Sequence, residues 1–168
     1  SDASSVPLDA REVVVEDLME RLTSRADVLA HERGAVLETD VAVEGPILLD
    51  PDRFEQAVLI LVDNAAKYGP PGGTVGLTAE TDAGYLEVKV TDRGAGIPDE
   101  QLPRIFERYY RLDRQAPQRA VGGAGLGLSI AAAIVEGHGG KITASARPGG
   151  GTIMSLRLPR AVLRRAAF

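Results

Sequence analysis

The stretch from Thr91 to Pro98 restricts the possible folds of this chain more than any other. It follows residues 86–90, whose alternating apolar and charged side chains predict a half-buried strand. Asp92 is costly to bury unless a donor, such as the exocyclic amine of a purine, bonds to it. Gly94 and Gly96 have no Cβ atom, so a flat ligand could lie against their backbone. A type I turn with Asp in its first position fits the same residues, and this stretch alone favours that alternative.

The length and composition of the chain predict one domain with its own core, since 44% of the 168 residues are hydrophobic. The net charge is −5 and the basic residues are scattered, which argues against nucleic acid as the main partner. Because cysteine is absent, disulfides and thiolate metal sites are excluded. The longest uncharged run, residues 120–135, is too short to span a bilayer. No apolar leader follows Ser1, so we expect a fragment of a longer protein.

The periodicity of apolar residues predicts an α+β domain at residues 8–159, between a linker at residues 1–7 and a basic tail at residues 160–168. Helices are predicted at residues 16–33, 51–68, 101–110 and 126–137. Strands are predicted at residues 8–14, 36–43, 47–49, 74–80, 85–91, 141–147 and 151–158. This order indicates a two-layer α/β sandwich, with a mixed, mostly antiparallel sheet covered by helices on one face.

The end of the second predicted helix, residues 63–68, carries polar groups beside a core stripe. Asn64 is a weak helix former, and its carbonyl oxygen is a hard ligand suited to Mg²⁺. Lys67 lies close to the same face and could place its ammonium near a phosphate. The alternative is a surface ion pair between Asp63 and Lys67, spaced i,i+4, and this segment alone leaves both interpretations open.

A glycine-rich junction at residues 122–129 leads from a loop into the helix predicted at residues 126–137. Closely spaced glycines before a helix expose backbone N–H groups and the positive end of the helix dipole, which together favour phosphate. Leu128 stands where a dinucleotide-binding fingerprint needs its last glycine, and the Gly-Lys-Ser/Thr of a P-loop is absent. A flexible hinge is the alternative. Residues 111–125 lack a sustained period and predict a mobile loop.

Four segments together resemble the ATP-binding catalytic domain of bacterial sensor histidine kinases. Asn64 with Lys67, Asp92 to Gly96, Phe106 to Arg111 and Gly123 to Leu128 look like its N, G1, F and G2 boxes. Their order and spacing agree, and the resemblance covers nearly the whole chain. It implies a Bergerat-type ATP-binding fold of the GHKL superfamily, with an ATP lid at about residues 108–125.

The resemblance also implies a role for individual residues at the adenine and metal. Asp92 would accept a hydrogen bond from the adenine amine, Gly94 and Gly96 would let the ring approach, and Ile97 would help to wall it. Asn64 would hold Mg²⁺ against the phosphates of ATP.

Further roles concern the phosphates and the reacting histidine. Lys67 and Tyr68 would contact phosphate or ribose, and Asp63 would polarise the attacking histidine. Backbone amides of the G2 box would bind phosphate as the lid closes, and Arg108 and Arg111 would be lid cations. The G2-box residues concerned are Gly123, Gly125, Leu126, Gly127 and Leu128.

Two features depart from the family's pattern. Ile60 replaces a second asparagine that many relatives carry one turn before Asn64, so fewer side chains would hold Mg²⁺. The phosphoacceptor motif is absent, and His31 is expected to be a solvated helix-end residue. His138 is expected at a helix terminus, where the dipole favours it.

The resemblance implies that the acceptor histidine lies on a separate dimerisation domain and that a response-regulator aspartate receives the phosphoryl group next. The parent would be a membrane-anchored sensor with this domain in the cytoplasm, without direct contact with membrane or nucleic acid. Rival hypotheses are a GHKL-type ATPase, an anti-sigma serine kinase, and a non-catalytic scaffold that binds nucleotide.

Overall fold

The computed structural model describes residues 7–108 and 127–160. Within these ranges, none of the helices has the length and apolar character that crossing a membrane requires. This part of the chain contains three α-helices, α1 Val15–Glu32, α2 Pro51–Tyr68 and α3 Gly127–Gly137. The strands are β1 Arg11–Val14, β2 Val36–Ala42, β3 Pro46–Leu49, β4 Thr74–Thr81, β5 Tyr85–Asp92, β6 Lys141–Ala146 and β7 Thr152–Pro159.

Five strands form one sheet in the order β2-β4-β5-β7-β6, in which β2 and β4 are parallel and the remaining neighbours are antiparallel. Burial alternates along β4, β5 and β7, since one face of each strand meets the helices. The buried face includes Val75, Leu77, Val88, Val90, Leu156 and Leu158. The predicted sandwich, with a mixed and mostly antiparallel sheet, is therefore confirmed.

The first strand differs from the expectation of an edge strand beginning at residue 8. It starts at Arg11 and pairs antiparallel with β3, Val13 opposite Ile47, in a separate two-stranded sheet. A strand of four residues forms few hydrogen bonds, so its own sequence does not determine its partner. The partner is set by which chain segments meet in the folded state.

The helix α2 has the bounds that the sequence predicts, because strong local signals mark both ends. Asp50 caps it by accepting from the amides of Asp52 and Arg53, and a proline follows the cap. Burial raises the pKa of Asp50. The hydrogen bonds from the amides of Asp9, Arg53 and Asp52 lower it by more than burial raises it, so its pKa lies below the ordinary value. The helix ends at Gly69.

The prediction of a helix at residues 101–110 is wrong for the part of this segment that the structure describes. Only a 3₁₀ turn, Leu102–Arg104, forms there. The amide of Gln101 bonds to the carbonyl of Pro98, and the amide of Arg104 bonds to that of Gln101, which are three-residue spacings. A 3₁₀ turn is a common short alternative to an α-helix where the helical pattern is weak.

Candidate functional site

The carboxylate of Asp92 ends β5 and is buried, with 8% of the residue exposed. Its Oδ1 atom accepts a hydrogen bond of 2.8 Å from the amide of Gly94. A Cβ atom at Gly94 would collide with the carbonyl oxygen of Tyr68, the last residue of α2. Glycine is therefore needed because two backbone segments touch here, and this contact joins the Asp92 turn to the end of α2.

Asp92 is held from its other side by the turn between β6 and β7. Gly151 has a φ of +104°, and a Cβ atom on it would meet the backbone oxygen of Asp92. Thr152 is the register partner of Asp92 and is 4% exposed. Sequence reasoning missed Thr152, because the pairing of β5 with β7 joins segments about sixty residues apart in the chain. The glycine run before Thr152 was the available signal, and it also fits an ordinary hairpin turn.

Gly96 lies next to this turn, and Ile97 follows Gly96 in the chain. Gly96 has a φ of +81°, a backbone conformation that residues with a Cβ atom rarely adopt. It approaches the backbone of Gly151. Ile97 is half-buried and packs against the hydrophobic core. The buried carboxylate of Asp92 is thus surrounded closely by backbone at Gly94 and Gly151.

The polar residues of α2 form the second part of the site. Asn64 and Lys67 are half-buried near the end of the helix, in the two turns that lead to Tyr68. The Nζ atom of Lys67 lies 3.5 Å from Oδ2 of Asp63, so the surface pair considered as an alternative is present. Arg33, just after α1, donates from Nε to Oδ1 of Asp63 at 2.6 Å. This second cationic partner of Asp63 was not anticipated from the sequence.

The start of α3 lies against the middle of α2. A Cβ atom on Gly127 would stand 3.6 Å from Cγ2 of Ile60, one turn before Asn64. Leu128 is half-buried against the core, and Gly127 is exposed. The residue that departs from the family's pattern, Ile60, therefore has an apolar packing role at this junction.

The remaining predicted residues are not brought into the site by the described part of the chain. Arg108 is exposed at the end of the first described range. Most of the expected lid, including Arg111, Gly123 and Gly125, lies outside the described residues, and so does Leu126 directly after it.

The two histidines occupy different environments. His31 is exposed in the last turn of α1, as expected. His138 follows α3 but is buried, and its Nε2 accepts a hydrogen bond from the amide of Asp50 at 3.0 Å. Its position directly after a helix is as expected, and because a ring nitrogen that accepts carries no proton, Nε2 is unprotonated in this hydrogen bond.

The donor set near Asn64 fits a magnesium ion that is bound mainly through a nucleotide. In the described ranges, no group of three or more His, Asp or Glu side chains is placed to hold a metal ion. The carboxamide oxygen of Asn64 is a hard ligand, and Mg²⁺ commonly combines one or two protein oxygens with phosphates and water. Ile60 offers no donor, so the phosphates and water would supply the other ligands.

Comparisons with known proteins give a consistent result. Residues 49–162 match the family model described as histidine kinase-, DNA gyrase B-, and HSP90-like ATPase. The adaptive-response sensory kinase SasA of Synechococcus elongatus is 36% identical over 157 residues, which are 92% of this chain and 40% of SasA. The sensor-like histidine kinase SenX3 of Mycolicibacterium smegmatis is 36% identical over 90% of this chain and 39% of its own length. The chain thus spans about 40% of these relatives.

Solved structures agree with the relatives. The mycobacterial sensor histidine kinase MprB superposes with a TM-score of 0.71 at 31% identity, over 90% of this chain and 97% of the MprB chain. Full-length ShkA in complex with AMPPNP gives a TM-score of 0.72 at 30% identity, over 92% of this chain and 32% of ShkA. The catalytic domain of ThkA, at 23% identity and a TM-score of 0.73, shares the fold.

Proposed function

The chain belongs to the family of histidine kinase-, DNA gyrase B- and HSP90-like ATPases, and from this premise we propose that it is the ATP-binding catalytic domain of a sensor histidine kinase. The domain would donate the γ-phosphoryl group of ATP to a histidine on a separate dimerisation domain of the same protein. A response-regulator aspartate would then receive it. The observation that carries the proposal is the contact between Gly94 and Tyr68, which joins a buried carboxylate to the helix bearing Asn64 and Lys67.

At the adenine end, Asp92 accepts from the exocyclic amine of the base. Burial excludes competing water from this carboxylate and strengthens the hydrogen bond. The backbone at Gly94 and Gly96 leaves the face of the ring free of side-chain obstruction, and Ile97 supplies an apolar wall. Thr152, which is the register partner of Asp92 and is also buried, is a further candidate to contact the base.

At the phosphate end, Asn64 presents its carboxamide oxygen to Mg²⁺, which neutralises charge on the phosphates when bound. Lys67 and Tyr68 contact phosphate or ribose. Backbone amides at the start of α3, Gly127 and Leu128, favour the negative charge of the phosphates. The proposed set is completed by Arg108, Arg111, Gly123 and Gly125 in a lid at residues 108–125 and by Leu126 directly after it.

Phosphoryl transfer in such a domain depends mainly on positioning and on neutralising charge. A nitrogen of the acceptor histidine attacks the γ-phosphorus, the bond to the β–γ bridging oxygen breaks, and ADP leaves. Asp63 polarises that histidine by accepting from its other ring nitrogen. Because Arg33 and Lys67 neutralise Asp63 in this conformation, the docking histidine would exchange with one of these cations.

The place of the domain in the cell is part of the same proposal. Residues 8–159 would form the catalytic domain, and a membrane-anchored parent would hold it in the cytoplasm, where ATP is available. The relatives named as sensory or sensor-like kinases support the catalytic-domain part of this proposal.

Arg160, at the start of the expected tail, donates to the backbone oxygens of Glu44, Pro46 and Asp82.

A non-catalytic nucleotide-binding scaffold is the second candidate function, and Ile60 is the observation that favours it. An isoleucine cannot coordinate a metal, and here it packs against the start of α3. A GHKL-type ATPase or an anti-sigma serine kinase has no such feature in its favour.

Calorimetric titration with AMPPNP, with and without Mg²⁺, tests the nucleotide site. We expect binding that Mg²⁺ strengthens. Incubation with [γ-³²P]ATP and a separately supplied dimerisation domain of a relative such as SenX3 tests phosphotransfer. Labelled histidine supports the kinase, binding without any transfer supports the scaffold, and absence of binding refutes both.

A further inference from the structure

His138 is a buried histidine that the proposed reaction does not use. It directly follows α3, and only 3% of the residue is exposed. Its Nε2 lies 3.0 Å from the amide nitrogen of Asp50, and its Nδ1 lies 2.8 Å from the carbonyl oxygen of Ile134. The amide can only donate, so Nε2 accepts and the single ring proton is on Nδ1, which donates to Ile134.

The backbone around His138 fixes the direction of this side chain. Gly139 has a φ of +78°, and the amide of Gly140 bonds to the carbonyl of Val135, which closes the end of α3. A Cβ atom on Gly140 would collide with the carbonyl oxygen of Arg157 on β7. The imidazole therefore projects from a turn that is anchored to the sheet.

The partner of His138 is equally well fixed. Asp50 caps α2 through Oδ1, and its Oδ2 accepts from the amide of Asp9 at 2.8 Å. Its own N–H has no role in the helix ladder, since it precedes the first helical residue. The bond to His138 thus joins the beginning of α2 to the end of α3.

A second contact joins the same two helices at the opposite end of α3. There Gly127 faces Ile60, whose Cγ2 atom would be 3.6 Å from an added Cβ, and Ile60 is about 15 Å from Asp50 along α2 at 1.5 Å per residue. The distance from Gly127 to His138 along α3 is about 16 Å by the same rise. The helices therefore run side by side in opposite directions, with one contact at each end of the shared length.

We propose that His138 is a positioning residue that sets the axial register of α3 against α2. The inference rests on the proposed function, in which the start of α3 faces the phosphates and Asn64 holds their metal ion. Asn64 lies one turn beyond Ile60, so a slip of α3 along α2 would change the separation between Asn64 and the amides of Gly127 and Leu128. Asp92, on β5, would keep its place.

The chain offers a matched pair of substitutions. In H138Q the side-chain amide reaches the position of Nε2 and can accept from Asp50. In H138N the amide reaches only the position of Nδ1, so it can bond to Ile134 but leaves the amide of Asp50 without its acceptor. Both replacements are polar and neutral, and they differ in which of the two bonds they preserve.

The experiment measures the affinities of the 168-residue chain for AMPPNP with Mg²⁺ by calorimetry and for adenosine by NMR titration. H138N is expected to weaken AMPPNP binding about tenfold, the equivalent of one lost hydrogen bond, and adenosine binding less than about twofold. H138Q is expected to stay within about twofold of the wild type for both ligands. Equal AMPPNP affinities of the two variants, or equal losses for both ligands, would overturn the inference.

A further measurement covers the case in which H138N does not fold. The ¹⁵N shifts of the wild-type imidazole report its tautomer, and the inference requires the proton on Nδ1. A proton on Nε2, or an H138Q variant with AMPPNP affinity reduced about tenfold, overturns it. If the wild type fails to bind AMPPNP, the proposed function fails and this inference with it. If the wild type binds normally and the variants do not differ, only the inference fails.

Discussion

At the Asp92 end of the proposed cleft the backbone itself forms the wall, whereas at the Asn64 end the groups are side chains on the surface of one helix. Asp92 is 8% exposed and lies between turns whose glycines touch neighbouring backbone. The side chains of Asp63 and Lys67 are 25% and 21% exposed and are joined in ion pairs. Backbone contacts cannot adapt to an added atom, but partly exposed ion pairs can rearrange and are screened by salt. We therefore expect large effects of substitution at the first end and graded effects at the second.

The largest effect is expected for Asp92→Asn. The amide can turn a donor toward the adenine amine, so ATP affinity should fall by about a hundredfold, or about 3 kcal/mol. Asp82→Asn is the matched control, because Asp82 also accepts from backbone amides, those of Gly84 and Tyr85, but in an exposed hairpin turn of β4 and β5. Calorimetry on both variants measures the difference. Unchanged ATP binding in Asp92→Asn would show that the base is recognised elsewhere.

Gly94→Ala tests whether the wall at the Asp92 end is as rigid as the contacts indicate. The added Cβ meets the carbonyl oxygen of Tyr68, so we expect a loss of about 2 kcal/mol in the free energy of unfolding. Gly84→Ala is the control, since a Cβ there comes only within 3.9 Å of Asp82. Urea denaturation followed by circular dichroism gives both values. Equal stability of the two variants would mean that the end of α2 can move away from residue 94 and make room for the added Cβ.

At the other end, Asn64→Ala should weaken affinity for AMPPNP about tenfold in Mg²⁺ and much less in EDTA, because the carboxamide acts through the metal. Gln56→Ala removes a carboxamide from the same helix, two turns earlier, and should change neither value. Titrations in both buffers provide the comparison. Losses of the same size with and without the metal would refute a ligand role for Asn64.

The smallest effect is expected for Arg33→Gln. The pair with Asp63 is partly exposed, so its removal should change the free energy of unfolding by no more than about 0.5 kcal/mol. Arg104→Gln, which removes an exposed pair with Glu107, serves as the control. Thermal or urea unfolding at low and high salt measures both. A loss several times larger for Arg33→Gln would mean that the ion pair is rigid, and the Asn64 end would then not differ from the Asp92 end in this respect.

Local signals made much of the fold predictable. The cap at Asp50, the proline after it and the glycine at residue 69 define α2, and alternation with a turn defines the β4–β5 and β6–β7 hairpins. The prediction of a helix at residues 101–110 failed because the helical pattern is weak, and the described part of this segment forms a 3₁₀ turn instead. The pairing of β1 with β3 was missed because short strands find their partners through tertiary packing.

For the candidate site, the sequence by itself determined which chemical groups are present: a carboxylate before two glycines, and an asparagine and a lysine one turn apart on a helix. Local spacing is sufficient for this, since helix and turn geometry depend on near neighbours. The tertiary structure alone decided that Thr152 pairs with Asp92, that Arg33 reaches Asp63, and that His138 joins α3 to α2. These contacts connect segments far apart in the chain, and only the packing of helices against the sheet brings them within hydrogen-bonding distance.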